Sequence, residues 1–96
     1  MTSKQRAYLR GLANNLEPIF QVGKGSVTPE LVSSIEEGFH TRELIKISVL
    51  KNCYDDPREI AATIAGRTHS EVVQVIGKKF VLYRPDKEKP KIILPR

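Results

Sequence analysis

Residues 17–32 read Glu17-Pro18-Ile19-Phe20-Gln21-Val22-Gly23-Lys24-Gly25-Ser26-Val27-Thr28-Pro29-Glu30-Leu31-Val32, and their order sets the fold class. The run ending at Val22 predicts a short strand over Glu17–Val22. Pro18 has no backbone N–H, so it confines the start of that strand to a sheet edge. Gly23–Ser26 is then a tight loop. Thr28-Pro29 opens a helix, with threonine as cap and proline at the first helical position, where a missing N–H costs nothing. Leu31, Val32, Ile35 and Phe39 continue it as an apolar stripe. Gly38 costs that helix about 1 kcal/mol relative to alanine. A strand that passes through a short glycine loop into a helix is an α/β junction.

Toward the amino terminus, Ser3 is placed to cap a first helix over Lys4–Ala13. Its apolar pairs Tyr8/Leu9 and Leu12/Ala13 are four residues apart on one face, with Lys4, Arg6 and Arg10 mainly on the other side. Asn14-Asn15 ends it. Toward the carboxyl terminus, Glu43–Leu50 alternates, with Ile45, Ile47 and Val49 facing one way and Lys46 and Ser48 the other. Asp56-Pro57-Arg58-Glu59 combines a cap, a helical proline and a capping-box glutamate. Ile60, Ala61, Ile64 and Ala65 then form the buried stripe of a third helix that ends near Gly66. Val72–Ile76 and Lys79–Tyr83 flank Gly77-Lys78 as a hairpin. Beyond Pro85 the tail is charged and rich in proline, apart from Ile92-Ile93-Leu94, which is placed to dock as a last short strand. The expectation is one α/β domain over residues 1–96, ordered α-β-α-β-α-β-β, with a mixed four-stranded sheet, helices packed on it and a basic tail over 85–96.

The chain has 96 residues, enough for one domain that buries roughly 60–65% of its unfolded surface. Cys53 is the single cysteine, so no internal disulfide forms. No signal peptide and no apolar run of membrane-helix length are evident, which predicts a cytoplasmic protein. The net charge of +5 is unevenly spread. Lys4, Arg6, Arg10 and Lys24 face only Glu17 in the first 26 residues, and the last 21 hold seven basic residues against two acidic. The middle, Val27–Val75, holds five basic against eight acidic residues. If the chain ends lie together, one side of the fold is basic, which suits a polyanion.

The loop Gly23-Lys24-Gly25-Ser26 carries the chemistry that such a partner needs. A helix start offers unpaired N–H groups and the positive end of a dipole, glycines let a backbone approach, and Lys24 adds a mobile charge. A glycine loop before a helix is most often only a turn, and the basic flanks are what favour binding here. The spacing of a nucleotide P-loop is absent, because Lys24 is followed by Gly25 and no hydroxyl stands ready for magnesium. His40, Cys53 and His69 lack metal-ligand spacing, and Cys53 has no recognisable base to make it a nucleophile. Asp56 is accounted for as a cap. Tyr83 is equally suited to stacking on a base and to the core. Lys78-Lys79 at the hairpin tip suits either a solvated turn or a phosphate contact, with contact slightly favoured. No cofactor is called for.

Ser3-Lys4-Gln5, Leu9-Arg10-Gly11-Leu12-Ala13, Gly23–Thr28, Glu43-Leu44-Ile45-Lys46-Ile47, Gln74-Val75-Ile76-Gly77-Lys78, Val81-Leu82-Tyr83-Arg84-Pro85 and Leu94-Pro95-Arg96 stand in the order and spacing of a known family. The chain resembles the CRM domain (chloroplast RNA splicing and ribosome maturation) of the YhbY-like proteins from Ser3 to Arg96. The resemblance implies the fold of the carboxy-terminal domain of translation initiation factor three. It also implies association of stand-alone bacterial members with precursors of the large ribosomal subunit, and an RNA-binding Gly-X-X-Gly loop at Gly23, Lys24, Gly25 and Ser26. Ser26 departs from the final glycine. Either it takes a positive φ at a cost of order 1–3 kcal/mol, or the loop bends at Gly25 and Ser26 offers its hydroxyl to phosphate.

The leading expectation is thus a non-catalytic, monomeric RNA-binding protein that assists large-subunit assembly. Gly23, Lys24, Gly25 and Ser26 would hold phosphate, and Lys4, Arg10, Lys46, Lys78 and Arg84 would extend the basic surface toward ribosomal RNA or pre-ribosomal particles. The competing expectation is a protein-interaction module whose acidic helices, with Glu30, Glu36, Glu37 and Glu59, dock a basic partner.

Overall fold

The structure, a computed structural model, describes residues 1–96. Three helices and four strands follow in the expected order: α1 (Ser3–Ala13), β1 (Phe20–Val22), α2 (Pro29–Gly38), β2 (Leu44–Val49), α3 (Pro57–Thr68), β3 (Glu71–Ile76) and β4 (Lys79–Tyr83). The strands form one sheet ordered β1-β2-β4-β3, with β1 parallel to β2 and the other pairs antiparallel. β1 is an edge strand, as Pro18 requires, and it is shorter than its apolar run suggests.

The sheet is covered on both faces. α2 and α3 close one face over Ile45, Ile47, Phe80 and Leu82. α1 covers part of the other, where Leu9 and Ala13 pack with Leu44, Val73, Val81 and Tyr83. Both faces of β2 are therefore apolar at its start, and only Lys46 and Ser48 break the pattern. Gly38 has a packing reason that repays its cost to the helix. A Cβ there would stand 3.1 Å from the Phe20 ring and 3.2 Å from Ile45 Cδ1.

Three local expectations are corrected. The cap of α1 is Thr2, one residue before Ser3, because Thr2 and Gln5 form a reciprocal capping box. Gly66 does not end α3, which runs on to Thr68. His69 then turns left-handed at φ 55°, and the Ser70 N–H reaches back to Ala65 O at 3.0 Å. The tail adds no strand. Ile92 and Leu94 pack against the α1-side core while Ile93 stays exposed, so the alternation is real but no ladder forms.

A buried carboxylate secures that tail. Glu43 accepts the N–H groups of Asp86 at 2.7 Å, Lys91 at 2.8 Å and Ile92 at 2.7 Å. The last residues then close on α1, where Gln5 Nε2 donates to Pro95 O and Lys4 Nζ to Arg96 O. Asp86 holds the intervening turn by accepting the N–H groups of Lys89 and Glu88, and those bonds lower its pKa. Burial, with the nearby Glu43 and Glu71 carboxylates, pushes the Tyr83 phenol up, so Tyr83 is a neutral core group. Glu43→Ala leaves three tail N–H groups without their acceptor, and losing even one charged hydrogen bond, worth about 1.5 kcal/mol, raises the open population about tenfold. Tryptic cleavage after Lys87 and Lys91 is expected to accelerate by at least about that factor, with unchanged kinetics counting against the clasp.

Candidate nucleic-acid interface

The topology gathers the basic loops at one end of the sheet. β1 and β2 run side by side, so their carboxyl ends lie together, with Val22 opposite Val49 and the Leu50 N–H donating to Val22 O at 2.9 Å. The loop 23–26 consequently sits against the turn after β2. A Cβ on Gly23 would be 3.9 Å from Leu50 Cδ1 and 4.0 Å from Asn52 Oδ1. On the other flank of β2, the β3–β4 hairpin tip arrives, and the Val49 N–H donates to Lys78 O at 2.6 Å. Gly77 makes that two-residue turn at φ 56°. Lys24, Lys51, Lys78 and Lys79, all exposed, thus ring one end of the fold.

From this end the basic surface continues onto the part of the sheet that α1 leaves open. Ser48 pairs with Lys79, Lys46 with Val81 and Gln74 with Val81, so these side chains share the α1 face. Asn14 at the end of α1 joins Lys46, Gln74, Ile76 and Lys79 around a shallow depression there. Arg10 lies one helical turn before Asn14 on the same flank of α1.

Arg6, a further turn back, is committed elsewhere. Its guanidinium donates to the carbonyls of Val72 and Val73, where the register of β3 against β4 slips. It satisfies carbonyls of an edge strand at a bulge. Two predicted contact residues lie away from the loop end. Lys4 is at the start of α1, bonded to the terminal carbonyl of the tail. Arg84 follows β4 at the opposite end of the sheet. There it bonds Glu36 Oε2 at 2.6 Å and Thr68 O at 2.9 Å, and lies over the Phe39 ring at 4.9 Å. It ties α2, α3 and β4 together and caps the α3 carboxyl terminus. The largest surface depression, about 800 Å³, is also at that end. Its lining of Glu36, His40, His69, Arg84, Asp86 and Glu88 mixes both charges and does not suit a polyanion.

The loop differs from a simple helix terminus. Thr28 takes the Leu31 N–H on its hydroxyl at 3.1 Å and the Val32 N–H on its carbonyl at 3.0 Å. Pro29 has no N–H, and Glu30 puts a carboxylate in the first turn of α2. The start of α2 therefore has little to offer an anion. Its one open helical N–H is that of Glu30, and further open donors lie in the turn itself. The Ser26 N–H closes it on Gly23 O at 2.9 Å, while the N–H groups of Lys24 and Gly25 make no bond within the protein. The turn thus offers two unbonded amides beside the exposed Lys24 ammonium, and successive free backbone N–H groups in turns are a common way of holding anions.

The position of the bend resolves the Ser26 question. Ser26 has φ 56°, and Gly25 is not left-handed. The strain falls on the residue that replaces glycine.

Lys51 is the contact candidate that sequence reading misses. It directly follows the alternating run Glu43–Leu50, but only the parallel pairing of β1 with β2 brings it beside the loop. Such non-local pairing has no local signal.

Residues 1–84 match the CRS1 / YhbY (CRM) domain. The chain is 45% identical over 95 residues to the "Probable RNA-binding protein YqeI" of Bacillus subtilis, covering 99% of each. It is 36% identical over 96 residues to an "RNA-binding protein" of Haemophilus influenzae, covering all of this chain and 96% of that one. The solution structure of SAV1595 from Staphylococcus aureus superposes with a TM-score of 0.84 at 48% identity, over 99% of both chains.

Ser26→Gly removes a left-handed penalty of about 1–2 kcal/mol and adds about 0.5–1 kcal/mol of unfolded-state freedom. A net gain of about 0.5–1 kcal/mol is expected, read as a higher urea midpoint at unchanged slope. A loss of stability would mean that the Ser26 hydroxyl does more for the loop than its backbone costs.

Proposed function

The chain belongs to the CRS1 / YhbY (CRM) domain family, and on that premise we propose that it is a non-catalytic, monomeric protein that binds RNA through the loop end of its sheet. The observation that carries this reading is the convergence of Lys24, Lys51, Lys78 and Lys79 around two unpaired amides. Backbone phosphate is held at Gly23-Lys24-Gly25-Ser26. Lys46 and Arg10 continue the track along the open sheet face. Arg84 and Lys4 contribute through the fold, since both already have partners in the protein.

The RNA proposed is ribosomal, in a precursor of the large subunit, as the family resemblance implies. A polyanion of that size suits a basic track that runs from the loops across two sheet strands to the end of a helix. Sedimentation of lysate through a sucrose gradient is the direct check. Co-migration with large-subunit precursors at low salt, lost as salt rises, supports the assembly role. A protein that stays at the top of the gradient under both conditions contradicts it.

Acidic residues border the track on the other side. Glu30, Glu37 and Glu59 are exposed on α2 and α3, so the two faces of the sheet differ in sign. A pulldown with and without ribonuclease separates an RNA partner from a basic protein that docks on the acidic helices.

Binding to single-stranded RNA should weaken with salt, with a log–log slope of about −0.7 per neutralised phosphate. Lys24→Gln is expected to flatten that slope by about 0.7 units. An unchanged slope removes Lys24 from the interface.

A further inference from the structure

Tyr54 keeps 92% of its surface in water, the most of any aromatic in the chain. Single exposed apolar side chains are ordinary, and what distinguishes this one is how its backbone is held. On one side Cys53 is buried, and its N–H donates to Leu50 O at 3.0 Å. On the other, Asp56 Oδ1 accepts the Arg58 N–H at 2.9 Å as the cap of α3. The phenol therefore projects from a two-residue bridge anchored at both ends. The same turn touches the first glycine of the loop through Leu50 and Asn52. Lys51 precedes the aromatic, and Asp55 and Asp56 follow it.

From this arrangement we infer that Tyr54 is a stacking platform for one unpaired nucleobase whose backbone phosphate is held at loop 23–26. The inference rests on the RNA-binding reading and deepens it. An exposed phenol offers its face to any base, which gives affinity without sequence preference. Charge fixes the polarity of the contact. Lys24 and Lys51 attract the sugar–phosphate chain, while Asp55 and Asp56 repel it, so the neutral base is the part that turns toward Tyr54. A base within a duplex has both faces covered by its neighbours. The site therefore selects RNA at a loop, a bulge or an end.

The test uses the full chain and three probes about a dozen nucleotides long: a single-stranded RNA, its abasic counterpart and a duplex. Tyr54→Leu is expected to weaken single-stranded binding about tenfold and to leave the abasic and duplex affinities and the salt slope unchanged. Tyr54→Phe, which keeps the ring, is expected to stay close to the parent. The exposed position predicts an unchanged unfolding midpoint for both variants. Single-stranded affinity untouched by Tyr54→Leu, with Lys24→Gln still weakening it, overturns the platform and leaves the loop reading standing. An equal loss on the abasic probe also overturns it. If Lys24→Gln has no effect on any probe, the loop reading fails and the platform with it.

Discussion

The parallel pairing of β1 with β2 is the constraint on which the rest of the molecule depends. Three residues of β1 lie beside the end of β2, in the register Phe20–Ile47, Gln21–Ser48 and Val22–Val49. That register places the glycine loop against the turn that follows β2. Because β4 runs antiparallel on the other flank of β2, the β3–β4 hairpin tip is delivered to the same end. Lysines far apart in the chain thus become neighbours. The price is a short edge strand, held by the packing of Val22 and Phe20 under α2 and by the close approach of Phe20 to Gly38.

The two ends of the sheet have different roles. At the far end, charged groups are paired and put to structural use: Glu43 binds three tail amides, and Arg84 joins Glu36 and the last carbonyl of α3. Arg6 likewise closes a bulge on the β3 edge. At the loop end, lysines are exposed and two amides have no partner within the protein. A charge already bonded to a protein carboxylate or carbonyl must break that contact before it can bind a ligand. The division between bonded and unbonded cations therefore separates scaffold from surface better than the raw count of basic residues does.

Much of this was legible in the sequence, for reasons that differ by element. The element order follows from local signals: Thr28-Pro29, Asp56-Pro57, the alternation of Ile45, Ile47 and Val49, and the Gly77 turn. Where two local signals competed, tertiary or capping chemistry decided. Gly66 looks like a helix stop, but buried Thr68, bonded to Ile64 O and Ser70, carries the helix past it. Thr2 wins the cap over Ser3 because only Thr2 has Gln5 three residues on. Strand neighbours had no local signal, so neither the place of Lys51 beside the loop nor the meeting of that loop with the Lys78 end of β4, away from Arg84, could be read from spacing. The left-handed Ser26 was one of two options left by the shifted glycine, and backbone geometry alone distinguishes them.

The central claim is spatial: RNA meets the loop end of the sheet and its open face. Mapping amide chemical shifts of the labelled protein during titration with single-stranded RNA tests it most directly. The account expects the largest changes at residues 23–26, 50–54 and 76–79, smaller ones at Arg10, Asn14 and Lys46, and none at 36–40 or 84–88. Changes centred on Glu36, His40 and Arg84, with the loop silent, would contradict it.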